Sequence, residues 1–169
     1  MEFSKLIAER FSVRSFAPTE VAQEHIDAIL EAARIAPTAC NYMPQKIVVV
    51  RGDEAIAKLD ECSPCRYGAP LAFVICYDRE ICWQPIPGED RGSGKIDASI
   101  VGTHMMLQAA ALGLGSIWVG MFDPKKIREK FGIPAHVVPI AVLPVGYPAA
   151  DCAPHEYHTT NRALDEILI

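Results

Sequence analysis

Arg10, Ser12, Arg14 and Ser15 bring two guanidinium groups and two hydroxyls together in the run Arg10-Phe11-Ser12-Val13-Arg14-Ser15-Phe16. A guanidinium is planar, permanently charged and presents a fork of donors that matches phosphate oxygens, and a serine hydroxyl adds a neutral donor. The chemistry this pattern suits is phosphate binding, although a solvated surface segment can carry the same residues, so its neighbours must decide. A second chemical motif is Cys62-Ser63-Pro64-Cys65. A Cys-x-x-Cys pair can be inert, can form a disulfide or place a thiol beside a redox cofactor, or can supply half a metal site. Zinc needs further ligands. There is no second Cys-x-x-Cys, and His155 and His158 lie far along the chain. No Ser/His/Asp triad or catalytic carboxylate pair stands out.

The elements that must position these residues follow from pattern. Residues 2–10 suit a short helix ending at the Arg/Ser run. Thr19 is a candidate N-cap for a helix reaching Ile35, with Ile26, Ile29, Leu30 and Ala33 on one face. Ala36 to Gln45 is a loop bounded by Pro37 and Pro44. The β-branched run Ile47–Val50 and the apolar run Ala72–Tyr77 read as buried strands, with a helix opened by Asp53 between them. Arg79–Lys95 reads as an excursion, a candidate lid. Asp97–Leu112 is a helix apolar almost all round, which predicts burial on most faces. At ~100° per residue, Asp97, His104 and Gln108 fall within about 40° of one another, and Ser99 and Thr103 form a second stripe. Those stripes are either a thin solvent edge or subunit contact, or groups directed at a cofactor. Ser116–Met121 is a third strand, Asp123-Pro124 caps a helix running to Phe131, and Pro139–Val145 is a fourth strand. Interleaved helices and strands give an α/β or α+β class.

Composition narrows the function. The chain has 169 residues, half of them hydrophobic and 22% charged, which fits one domain spanning 1–169. The net charge of -5 argues against a nucleic-acid binder while leaving a local anion site open. Met1–Lys5 does not open a signal peptide, and the apolar stretch Ala98–Gly120 is interrupted by His104, Gln108 and glycines, so no membrane span is expected. A cytoplasmic protein with its six cysteines as free thiols is the expectation.

Four segments in order give the chain a resemblance to the nitroreductase-like family of FMN-dependent oxidoreductases, as a short member. They are Arg10–Phe16, the loop Ala36-Pro37-Thr38-Ala39-Cys40-Asn41, the stretch Leu112–Asp123 containing Ser116-Ile117-Trp118-Val119-Gly120, and Leu143-Pro144-Val145-Gly146-Tyr147-Pro148 with a later basic residue, Arg162. The resemblance implies an α+β fold: a central, mostly antiparallel sheet flanked by helices, in an intertwined homodimer with FMN at the subunit interface. It implies that Arg10, Phe11, Ser12, Arg14 and Arg162 serve the phosphate and ribityl end. It places Pro37, Thr38, Ala39 and Asn41 on the FMN of the other subunit, and Trp118, Val119 and Gly120 along the flavin ring, where a backbone N–H would face N5. The residues 97–112 helix would lie at the dimer core and Ala163–Ile169 would reach onto the partner.

The implied activity is ping-pong reduction of a small electron acceptor, such as a nitroaromatic or quinone, by NAD(P)H through flavin N5, with FMN as cofactor and no catalytic side chain required. Three alternatives stay open: a specialised enzyme of the same fold, such as a reductive dehalogenase; a slowly turning flavin-binding redox sensor in which Cys62 and Cys65 report redox state; and a small metal-binding scaffold, which would be colourless and hold zinc. The family loop usually continues Asn-x-Gln-Pro-Trp; here it reads Asn41-Tyr42-Met43-Pro44-Gln45.

Overall fold

Both faces of one strand are apolar, and the architecture follows from that. In the run Leu71–Asp78 every side chain is buried, so helices must cover the sheet on two sides. The computed structural model describes residues 2–86 and 92–169, so the middle of the expected Arg79–Lys95 excursion lies outside the described residues. Its elements are α1 (Phe3–Glu9), α2 (Gln23–Ile35), β1 (Gln45–Arg51), α3 (Asp53–Asp60), β2 (Leu71–Asp78), α4 (Gly94–Ala111), β3 (Gly115–Ser116), α5 (Pro124–Lys130) and β4 (Val137–Gly146). The four strands form one antiparallel sheet in the order β1-β2-β4-β3. An α+β class with a mostly antiparallel sheet between helices is therefore observed.

Alternation along β2 sorts the core into two layers. Leu71, Phe73, Ile75 and Tyr77 join Ile26 and Ile29 of α2 and Val101 and Met105 of α4. Ala72, Val74 and Cys76 face the other way, with Leu59 of α3 and Ile127 of α5. Each large side chain buried this way contributes roughly 1.5–3 kcal/mol, so β2 is the strand the fold is built around.

The departures from pattern have local causes. The helix after Thr19 starts only at Gln23, with Ala22 in the cap position and no side-chain cap. Val21 is drawn into the core ahead of the helix, and Thr19 stays exposed. Asp53 is the first helical residue of α3 rather than its cap, a place taken by Gly52 at φ 78°. Helix α4 begins at Gly94, earlier than expected, because that glycine is a packing residue: a Cβ there would lie 2.1 Å from the ring of Tyr77. The expected strand over Ser116–Met121 ends after Ser116. The next residue, Ile117, donates to the carbonyl of Pro144 at 3.3 Å, and a proline has no N–H to return, so the ladder stops. Pairing resumes only as an isolated bridge between Val119 and Val142.

Candidate functional site

The Arg/Ser run is stitched to the edge of the sheet. Arg10 caps α1 by donating its backbone N–H to Leu6, and the chain then turns extended. Ser12 bridges Ser116, and the Val13 N–H donates to the Ser116 carbonyl at 3.1 Å. Gly115 makes this approach possible, since a Cβ at that position would lie 2.5 Å from Val13 Cγ2. Further on, Ala17 donates to Tyr147 at 2.8 Å and Ala149 to Ser15 at 3.0 Å, which fixes the segment at its far end.

The segment forms one wall of a cleft of about 280 Å³ lined by Arg10, Phe11, Ser12, Arg14, His155, Tyr157 and His158. His158 meets Phe11 edge-on, with ring centroids 6.1 Å apart. Arg10 carries the clearest electrostatic signal. Burial pushes its guanidinium below its ordinary pKa, and its Nη1 is buried with no hydrogen-bond partner among the described residues. A buried charged donor without an acceptor is costly, and an anion in the cleft relieves it. Arg14 is more exposed, with Nη1 3.4 Å from the Ser12 carbonyl. Arg162 lies in the exposed tail beyond the short Glu156–Thr159 turn and is not in the cleft wall. The two histidines were visible in the sequence only as weak metal candidates. Their place here depends on the tail folding back over Phe11.

The stretch after β3 presents an open backbone edge. Trp118 turns towards α4: a Cβ on Gly102 would lie 2.4 Å from Trp118 Cζ3, so the indole occupies the space this glycine leaves. Val119 exchanges both backbone hydrogen bonds with Val142, each at 2.9 Å. Its N–H is therefore taken by the sheet. Gly120 is exposed, and nothing lies within 4 Å of where its Cβ would be.

The Cys-x-x-Cys turn is docked beside this edge. Ser63 Oγ donates to the Met121 carbonyl at 2.7 Å, and the Asp123 N–H donates to the Cys62 carbonyl at 2.9 Å. The two thiols, both free, have different surroundings. Cys62 is buried and donates to the Lys58 carbonyl at 3.1 Å, and burial pushes its thiol above its ordinary value. Cys65 Sγ lies 3.9 Å from Met121 Sδ. Its hydrogen bond with Tyr67, followed by burial, raises the tyrosine hydroxyl against the opposing pull of Arg14. Cys65 and Arg14 thus act on Tyr67 in opposite senses, a coupling that sequence spacing did not reveal.

The second predicted segment sits apart. Pro37, Thr38, Ala39 and Asn41 form a tight turn that is no part of the cleft wall. Thr38 organises it, accepting from the Asn41 N–H through its carbonyl and from the Met43 N–H through Oγ1, both at 3.0 Å. Cys40, Asn41 and Met43 all have positive φ, near 50°. Such geometry is easy for asparagine and costs roughly 1–3 kcal/mol for ordinary residues. Asp97 braces the turn from α4. It is 2% exposed, accepts from the Ala39 N–H at 2.9 Å, and receives the Ser93 hydroxyl at 2.6 Å. Its polarity is therefore satisfied by a loop 58 residues away in sequence, neither at a solvent edge nor at a ligand.

Comparison with known proteins agrees with this arrangement. The family model described as "Nitroreductase family" matches residues 7–66 and 62–147. A crystal structure of a nitroreductase family protein from Clostridium difficile 630 superposes with a TM-score of 0.91 at 39% identity, covering 100% of this chain and 98% of that one. An FMN-dependent nitroreductase from Clostridium difficile R20291 superposes with a TM-score of 0.73 at 28% identity, over 93% and 96% of the two chains. A Methanothermobacter thermautotrophicus protein, named as a candidate NADH dehydrogenase/NAD(P)H nitroreductase, is 37% identical over 171 residues, 96% of this chain and 85% of the relative. With its matched segments running through both the Arg/Ser cradle and the sheet that carries it, this chain belongs to the nitroreductase family.

Proposed function

We propose that the protein is an FMN-dependent oxidoreductase that uses NAD(P)H to reduce small electron acceptors, nitroaromatics and quinones among them, in a ping-pong cycle. The observation that carries the cofactor assignment is Arg10, whose buried Nη1 lacks an acceptor among the described residues and which lines a cleft with Ser12 and Arg14. FMN offers a phosphate of charge near −2 to such a cleft. Arg10, Ser12 and Arg14 would hold that phosphate and Phe11 would pack beside it. The Gly120 edge leaves room for a planar ring to approach the backbone. Bound FMN supplies hydride acceptance and donation at N5; the chain's own residues bind, orient and exclude water.

The remaining candidates fit a homodimer. Pro37, Thr38, Ala39 and Asn41 stand away from the cleft within one chain, so a partner copy would bring them to its neighbour's FMN. The α4 face at Ile96 (65% exposed) and the tail residues Leu164, Ile167 and Leu168 (64–71% exposed) support burial against a second copy. Arg162 would reach an FMN phosphate through the same tail. Trp118, Val119 and Gly120 would line the flavin ring, with Trp118 packed against α4 at Gly102 and Val119 tying Gly120 to the sheet.

Initial rates of NADH and NADPH oxidation, measured against varied quinone and nitroaromatic, test the reading. Parallel double-reciprocal lines are expected, because donor and acceptor share one pocket in turn. Intersecting lines contradict the shared pocket, and the absence of oxidation with either donor contradicts the enzyme. The sensor reading draws on Cys65 beside Met121 and Tyr67. Unchanged, fast turnover in Cys65→Ser removes it.

A further inference from the structure

The end of the sheet that carries Asp78 and His136 gathers a set of groups that the flavin chemistry does not use. Asp78 closes β2, Glu80 follows in the next turn, and His136 immediately precedes β4. A ligand-type atom from each of these three residues lies within 4.8 Å of the others. The backbone that presents them is locked. Asp78 pairs with Val137 in the β2–β4 ladder, the Arg79 N–H donates to the His136 carbonyl at 3.0 Å, and the Asp78 N–H donates to Pro44 at 2.8 Å.

Asp78 is only 7% exposed, and each of its carboxylate oxygens faces a group of this cluster. Oδ1 accepts from the Glu80 N–H at 2.9 Å. Oδ2 faces His136 Nε2 at 3.7 Å, too long for a hydrogen bond. That separation is close to the roughly 3.4 Å expected between two ligands on one tetrahedral ion with bonds of about 2.0–2.2 Å. A carboxylate oxygen of the buried Asp78 opposite an imidazole nitrogen, with a second carboxylate within reach, makes up a ligand set.

We propose that Asp78, Glu80 and His136 form a binding site for a divalent transition-metal ion, zinc being the reference ion. One imidazole with two carboxylates is a borderline donor set suited to zinc, manganese or cobalt rather than calcium or magnesium. Three protein ligands leave at least one coordination position open. The neighbouring cavity of about 360 Å³, lined by Asp78, His136, Lys46 and Cys76 among others, gives that position access to water or a small anion. Cys76 lies outside the ligand group, fully buried in the core with its Sγ 3.8 Å from the Val74 carbonyl. The ion ties the β2 turn to the β4 entry.

The test is calorimetric titration of zinc into the purified, chelator-treated chain, paired with the visible spectrum of its cobalt(II) form. One zinc per chain is expected, with the visible d–d bands of a four-coordinate cobalt(II) ion and no sulfur-to-cobalt charge-transfer band. His136→Ala and Glu80→Gln, both at partly or fully exposed positions, are each expected to weaken binding at least about tenfold, while Cys65→Ser leaves it unchanged. Absence of zinc binding overturns the proposal. So does binding that both variants retain, or a thiolate charge-transfer band that disappears in Cys65→Ser. None of these outcomes depends on bound FMN.

Discussion

At the residue scale, the site turns on two charged groups in opposite circumstances. Arg10 has a buried donor with no acceptor among the described residues, and Asp97 is a buried acceptor with both oxygens occupied. A charge-assisted hydrogen bond is worth about 1.5–3 kcal/mol, so Arg10→Ala is expected to weaken FMN binding by roughly 10–100-fold with little loss of stability. Quenching of flavin fluorescence on titration measures it. Asp97 behaves differently. Asp97→Ala leaves the Ala39 N–H and the Ser93 hydroxyl without their acceptor and is expected to cost about 1–3 kcal/mol, read from the urea midpoint at constant m-value. Asp97→Asn keeps one acceptor oxygen and is expected to lose less. The contrast explains what the sequence disclosed. Arg10, Ser12 and Arg14 are neighbours in the chain, so their joint chemistry is legible without a fold. Asp97 and Ala39 are not, and only helix α4 crossing beneath the loop gives the aspartate its purpose.

At the element scale, small residues set how closely the layers approach. Gly102 on α4 is the critical one, because Trp118 Cζ3 and Ile75 Cδ1 stand 2.4 and 2.7 Å from where its Cβ would be. Gly102→Ala is expected to overpack the α4–sheet contact by about 1–3 kcal/mol. Combining it with Trp118→Leu is expected to recover part of that loss, which a denaturation double-mutant cycle reports as a non-additive coupling. Most elements were legible because their periods are clean: the unbroken apolar run of β2, the stripe of α2, and Asp123-Pro124 ahead of α5, where Asp123 accepts from Lys125 at 2.9 Å. The failures share one origin. A glycine read as loop at residue 94 is a contact point for Tyr77, and a proline at 144 on one strand shortens β3 on another. Such effects belong to the partner element, so no window of sequence around the affected residue contains them.

At the scale of the whole molecule, the chain displays more apolar surface than its own core requires. Ile96 on α4 and the tail from Leu164 to Ile169 are exposed, and the Pro37–Asn41 loop is no part of the Arg10 cleft wall. A homodimer accounts for all three. Ile96→Glu changes an exposed side chain and is therefore expected to leave the protomer folded while shifting sedimentation from dimer towards monomer. In the proposed dimer the loop of one subunit would serve the FMN of the other, so the variant is also expected to bind FMN more weakly. A dimer that persists with full FMN affinity would show that this face of α4 lies outside the interface.

The visible absorption spectrum of the purified protein, with the released flavin identified after denaturation, tests the central claim most directly. The account predicts a yellow protein carrying, or taking up, about one FMN per chain, with Arg10→Ala visibly depleted. A colourless protein that takes up no added FMN would contradict it.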